Sequence, residues 1–194
     1  MKAILDLIVT ALSSLTGTVL GWLGEGTGVF LEWFWNTFGQ ELEVVEQHAV
    51  FMKLFIATLC GAMIGLEREY ADKPAGLRTN IFICAGSALF TLASIIAWEL
   101  LTGSSPPSDP MRVAAQIVTG VGFLGAGVIF KSEERITGMT TAATIWFVAA
   151  IGMMIGIGFP LLGFLVSIAA TALLFALGRF ERISPFLPKE DPPE

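Results

Sequence analysis

Gly61-Ala-Met-Ile-Gly65-Leu-Glu67-Arg68-Glu69-Tyr-Ala-Asp72-Lys73-Pro74-Ala-Gly76-Leu-Arg78-Thr79 is the densest run of charge in the chain, and it lies between two apolar segments. Charge is costly in hydrocarbon, so a connector of this kind belongs at a water face, where it fixes the ends of both flanking helices. Pro74-Ala-Gly76 breaks the helix between its charges.

The segment before the connector covers about residues 48–66. Only 13 uncharged residues separate Lys53 from Glu67, fewer than the about 20 that cross a bilayer. Lys53 therefore lies inside the span or snorkels to its edge. Ala57, Gly61 and Gly65 recur at every fourth position, a small-residue ridge suited to tight packing on a neighbouring helix.

After the connector, residues 81–98 give 18 positions without a charge, and a Pro- and Ser-rich loop follows over 102–110. Residues 113–130 are again 18 uncharged positions and contain Gly120, Gly122, Gly125 and Gly127. Four glycines weaken a lone helix; in a membrane they permit close backbone approach or mark an unwound stretch. Their GxGxxG lettering lacks the strand and βαβ unit of a dinucleotide site, and close packing explains it better.

Beyond the polar residues 131–135, positions 136–178 form 43 consecutive residues without a formal charge. At 1.5 Å each this is roughly 64 Å of helix, about two hydrocarbon thicknesses. Gly156-Ile-Gly158-Phe-Pro160 is the turn that divides it into spans at about 141–157 and 160–177.

At the N-terminal side, the 18-residue apolar run 7–24 is followed by no prompt small-residue cleavage site, so it is read as a retained helix over about 4–23. Phe30, Trp33, Phe34 and Trp35 mixed with Glu32 suggest a helix lying at the membrane interface. Glu41, Glu43 and Glu46 make an acidic lead-in to the next span. The proline-rich end, 185–194, is expected to be disordered.

Composition agrees with a membrane protein. The chain has 194 residues, 54% hydrophobic and 14% charged, against about 25% charged in soluble domains. Cys60 and Cys84 fall in apolar segments and are read as small buried hydrophobes. The expected architecture is an all-α polytopic membrane helix bundle with five to six transmembrane helices. It is organised as an N-terminal helix plus acidic outer segment (1–46), a transmembrane domain (47–180) and a tail (181–194).

With six spans, one side collects Lys2, Arg68, Lys73, Arg78, Lys131, Arg135, Arg179, Arg182 and Lys189, and the other only Arg112. This asymmetry places the connector and both termini in the cytoplasm.

Candidate chemistry concentrates at the connector, in Glu67, Arg68, Glu69, Asp72, Lys73, Arg78 and Thr79. Glu69 with Lys73, and Glu69 with Asp72, have spacings that share a helix face. Glu67 and Glu69 are the candidate metal ligands, since hard carboxylate oxygens suit Mg²⁺; ion-paired helix ends are the commoner role for such residues. Inside the spans, Asn80, Ser87, Gln116, Thr119 and Thr144 line a path or act as hydrogen-bonding glue between helices, the latter being more usual. No nucleophile, base or metal constellation marks an enzyme. No carboxylate lies deep in a span, which argues against a proton-coupled or cation-pumping mechanism.

Four strings then carry a family resemblance: Gly61 to Glu69, Pro74-Ala-Gly-Leu-Arg-Thr79, Ala114 to Gly127, and Gly138-Met-Thr-Thr-Ala-Ala-Thr-Ile-Trp146 with Ala149 to Met153. In this order, over about residues 50–160, the chain resembles the MgtC/SapB family of bacterial membrane proteins. The resemblance implies an inner-membrane protein of Mg²⁺ homeostasis that regulates another membrane complex, such as the ATP synthase. The alternative is a transporter or channel for Mg²⁺ or another ion. Its motifs fall here on Glu67, Arg68, Glu69, Arg78 and Thr79, on the glycine-rich helix from Gln116 through Gly120, Gly122 and Gly125 to Gly127, and on Thr141 to Trp146. The small-residue faces also predict a homo-oligomer, a homodimer in the simplest case.

Overall fold

The computed structural model describes residues 25–101, 109–132 and 136–183, together with Thr10. The expected first span over 4–23 and the tail after 183 lie outside the described residues. The chain divides into two compact units, residues 1–49 and 50–194.

In the first unit, α1 (Glu25–Gln47) carries the aromatic cluster. Phe34 and Phe38, one turn apart, stack with ring centroids 6.1 Å apart, and Trp35 meets both edge-on. Phe30, Trp33, Phe34 and Phe38 remain exposed, an apolar face of the kind an interfacial helix presents. Glu32, Glu41, Glu43 and Glu46 are exposed on the same helix.

The second unit contains α2 (Val50–Tyr70), α3 (Leu77–Leu101), α4 (Met111–Gly127), the two-residue strands β1 (Phe130–Lys131) and β2 (Ile136–Thr137), α5 (Met139–Ile157) and α6 (Pro160–Ile183). Four of these helices are long and apolar enough to cross a membrane: α2, α3, α5, and α6 over Pro160–Phe180. α4 is apolar but shorter, at 17 residues.

The packing is set by small residues. A Cβ at Gly61 would lie 2.6 Å from the Asn80 carbonyl oxygen, and one at Gly65 only 2.8 Å from the Leu77 Cα. The expected ridge on α2 is therefore seated directly on the α3 backbone. On its other flank α3 receives α5, where a Cβ at Gly152 would collide with the Cys84 carbonyl and one at Gly156 would lie 2.7 Å from Thr91 Cβ. α3 is thus held between α2 and α5. Ala57, Cys60, Ile64, Cys84, Ala88, Val148, Ile151 and Ile155 close the core where the three helices meet. Both cysteines are buried and free, as the sequence suggests.

The outer surface is apolar as well. Phe82 is 76% exposed, Phe123 81% and Leu161 70%. A water-soluble fold does not display so much apolar surface, whereas lipid solvates it. The protein is a polytopic helical membrane protein.

The two ends of this unit are distinct. At one end Ala75, from the connector, packs with Val121, Ile145 and Ala149, and Val128 lies against them. The β1–β2 hairpin, which the sequence reading treats only as a polar loop, follows Val128 at this end and pairs Phe130 with Thr137 and Lys131 with Ile136. Gly138, with φ of 87°, then closes against the Val128 carbonyl, a left-handed conformation that favours glycine. Tyr70 meets Phe175 of α6 here too, with ring centroids 6.3 Å apart. At the opposite end, the Gly158 turn joins α5 to α6, and Lys53 Nζ donates to the Gly156 carbonyl at 3.4 Å. That bond gives the lysine an acceptor at a helix C-terminus, where cations are favoured.

Candidate functional site

The charged run splits between a helix end and a short turn. α2 continues through Glu67, Arg68 and Glu69 and stops at Tyr70. Asp72 takes a left-handed φ of 52°, its N–H bonds the Glu69 carbonyl, and the Lys73 N–H bonds the Arg68 carbonyl. This pairing is a Schellman closure, with Asp among the few residues that tolerate the conformation. It corrects one expectation: Asp72 and Lys73 lie past the helix end, so they share no helix face with Glu69.

Glu67 and Arg68 are buried, at 5% and 4% exposure, and paired with each other through Glu67 Oε2. Two turn-forming interactions lie beside them. Exposed Glu69 accepts a hydrogen bond from the Leu77 N–H at 2.8 Å, satisfying an orphan donor in the first turn of α3. Asn80, fully buried, donates through Nδ2 to the carbonyls of Ala75 at 2.8 Å and Gly76 at 2.9 Å. Its Oδ1 is buried and meets no donor among the described residues. Gly76 fits because a Cβ there would approach Glu69 Oε2 to 2.9 Å.

The two candidate metal carboxylates do not converge. Glu67 points into the protein and is neutralised by Arg68, while Glu69 is exposed and engaged by a backbone amide. Among the described residues, no group of three or more His, Cys, Asp or Glu side chains is placed to hold a metal ion.

A second feature adjoins the turn. Thr79 lines one end of a groove between α3 and α4, with a volume of about 880 Å³, and Gln116, Gly120 and Ser87 line it further along. Arg112 and Phe90 stand at its other end. Sequence reasoning did not single out Arg112; its signal was its isolation from the other basic residues, just after Pro110.

The remaining candidates are dispersed. Thr141 is buried, Trp146 is 52% exposed on the outer face, and Arg78 is exposed at the start of α3. Two of the hydroxyls expected to line a path or join helices, those of Thr119 and Thr144, bond within their own helices instead. Thr91, Thr119 and Thr144 each donate to a carbonyl four residues back on their own helix, the local alternative open to Ser and Thr. The glycine series also departs from expectation. α4 is continuous, and only Gly125 is packed, 3.6 Å from Ala142, while Gly120, Gly122 and Gly127 face open space.

A family model described as the MgtC family matches residues 54–183. The chain belongs to the MgtC family. The match begins within α2 and ends with α6, reaching past the 50–160 stretch that the motifs cover. "Putative magnesium transporter YhiD" of Escherichia coli (strain K12) is 45% identical over 124 residues, 63% of this chain and 58% of that protein. "Protein MgtC" of Salmonella typhimurium is 45% identical over 107 residues, 55% of this chain and 43% of that one. "Protein SapB" of Bacillus subtilis (strain 168) is 48% identical over 112 residues, 57% of this chain and 48% of that one. The chain spans about half the length of the curated relatives it matches. No solved structure matches it significantly.

Proposed function

We propose that this MgtC-family protein serves magnesium homeostasis in a bacterial inner membrane by acting on another membrane complex, such as the ATP synthase, without enzymatic chemistry and without conducting Mg²⁺ itself. The name of one relative, the putative magnesium transporter YhiD, supports the link to magnesium. One observation favours regulation over conduction: the groove between α3 and α4 is lined by no carboxylate and contains Arg112. A divalent cation crossing hydrocarbon requires oxygen ligands in place of its waters, and a guanidinium on the route repels it.

The connector end collects Arg68, Lys73, Arg78, Lys131 and Arg179, against Lys53 and Arg112 at the other end. By the positive-inside rule we propose that the connector faces the cytoplasm and that both termini lie on the same side. The partner surface in this scheme is the connector: Arg78 and Glu69 are exposed there, on a turn held rigid from within by Asn80 and the Glu67–Arg68 pair. We also place a homodimer contact on the outward face of α4, where Ala115, Thr119, Gly122 and Ala126 are exposed and small, as helix association in lipid favours.

The competing proposal is Mg²⁺ transport, favoured by the name of the Escherichia coli relative. Growth of a gene-deletion strain at limiting Mg²⁺, with the initial rate of Mg²⁺ uptake measured in the same cells, separates the two. Regulation predicts that the wild-type chain restores growth with an unchanged uptake rate and that Arg78→Ala fails to restore it. A rise in uptake rate that follows protein level would make the chain a transporter.

A further inference from the structure

The groove between α3 and α4 has the volume of a ligand site but the position of a lipid site. At about 880 Å³ it falls within the roughly 300–1,000 Å³ usual for small-molecule pockets. Gly86 and Gly120 face each other's helices without a side chain, and nothing lies within 4 Å of where a Cβ would stand on either. The rim residues Phe82, Phe90 and Leu124 are exposed, so the groove opens along the side of the bundle, where acyl chains are the solvent. From Thr79, at the connector end, to Phe90 it follows α3 for roughly 16 Å, about half of the ~30 Å hydrocarbon core and long enough to seat one acyl chain.

Arg112 adds a charge to this apolar channel. Ser94 Oγ donates to the Pro110 carbonyl at 2.9 Å, which fixes the start of α4 beside Ser94. α3 runs on to Leu101, roughly 10 Å further. The guanidinium thus enters the groove below the level at which α3 ends, and among the described residues no acidic side chain pairs with it. An arginine facing lipid at that depth is costly unless it reaches the headgroup layer or an anion reaches it. A phosphodiester satisfies the planar guanidinium through two parallel hydrogen bonds. Gln116 lines the groove one turn deeper, at the level of a lipid's ester carbonyls.

We propose that this groove binds an anionic phospholipid, with one acyl chain running between α3 and α4 toward the connector end and its phosphate on Arg112. Charge complementarity selects the headgroup, and the length and apolar lining of the groove select the chain.

The test uses the full chain, purified and delipidated in detergent. It is titrated with phosphatidylglycerol and, separately, with phosphatidylcholine of the same chains, and bound lipid is read by native mass spectrometry. Both lipids offer Arg112 the same phosphodiester, but the choline ammonium cancels the phosphate charge and repels the guanidinium, so the wild-type protein should prefer phosphatidylglycerol by about tenfold. Arg112→Gln should erase that preference and Arg112→Lys retain part of it. Gly120→Phe, which fills the groove, should abolish binding of both lipids, whereas Arg179→Gln, off the groove, should change nothing. Gly86→Phe on the facing wall reads the same quantity if Gly120→Phe does not fold. The proposal is overturned if Arg112→Gln keeps the preference, or if a filled groove still binds lipid. It is equally overturned if filling the groove converts a dimer to a monomer with lipid binding intact, since a second copy would then be the occupant.

Discussion

Glu69, in the last turn of α2, accepts a hydrogen bond from the Leu77 N–H, in the first turn of α3, at 2.8 Å. One carboxylate therefore ties the exit of one membrane helix to the entry of the next, across the turn that Pro74 and Gly76 create. Removing it exposes what that tie contributes. Glu69→Ala should cost about 1 kcal/mol, as loss of a capping oxygen does, and lower the melting midpoint in detergent by about 2–4 °C. Glu69→Gln, which keeps an acceptor oxygen, should lose less.

Burial makes Glu67 and Arg68 a different case. Glu67→Ala strands a guanidinium that is only 4% exposed, and breaking a buried pair on one side costs about 3–5 kcal/mol. Glu67→Leu combined with Arg68→Met should recover much of that loss, because two apolar groups leave no charge unpaired. A double-mutant cycle by denaturant unfolding measures the difference directly.

The glycines separate into two groups with opposite expected effects. At Gly61 a methyl would lie 2.6 Å from the Asn80 carbonyl oxygen, so Gly61→Ala should force α2 from α3 at about 1–3 kcal/mol. Gly120 and Gly122 have open space around them, so alanine at either should be neutral or stabilising by up to about 1 kcal/mol. Thermal unfolding of the three single variants gives both signs in one experiment.

These glycines also show what the sequence reveals and what it conceals. The every-fourth-position ridge of Ala57, Gly61 and Gly65 is a one-helix pattern, and its partner is the helix joined to it by a six-residue turn, 71–76. Local information suffices there, as it does for the Gly158 turn between α5 and α6. The glycines of α4 look alike in sequence, yet only Gly125 faces a neighbour, because which face of α4 meets α5 is decided by non-local packing. The burial of Glu67 and Arg68 was hidden for a related reason. Charged residues next to a predicted break read as solvated, and only the helix continuing to Tyr70 carries them inside. Arg112 gains meaning only once Ser94 and Pro110 bring the two ends of a long loop together.

The homodimer has its own test on the outward face of α4. Gly122→Leu should prevent close helix approach at the Ala115–Thr119–Gly122–Ala126 ridge and shift the protein to monomer, while Phe82→Leu, on α3, should leave the mass unchanged. Light scattering in detergent reads both variants, and a monomeric wild-type chain would rule the dimer out.

The central claim, that the chain supports magnesium homeostasis without carrying the ion, meets its most direct test in Mg²⁺ flux into proteoliposomes. Folded wild-type protein is reconstituted in a defined orientation beside Glu67→Ala and Arg78→Ala. We predict no flux above that of protein-free vesicles for any of the three. Saturable Mg²⁺ flux in the wild-type vesicles, lost in both variants, would contradict the account and make the connector the cytoplasmic gate of a transporter.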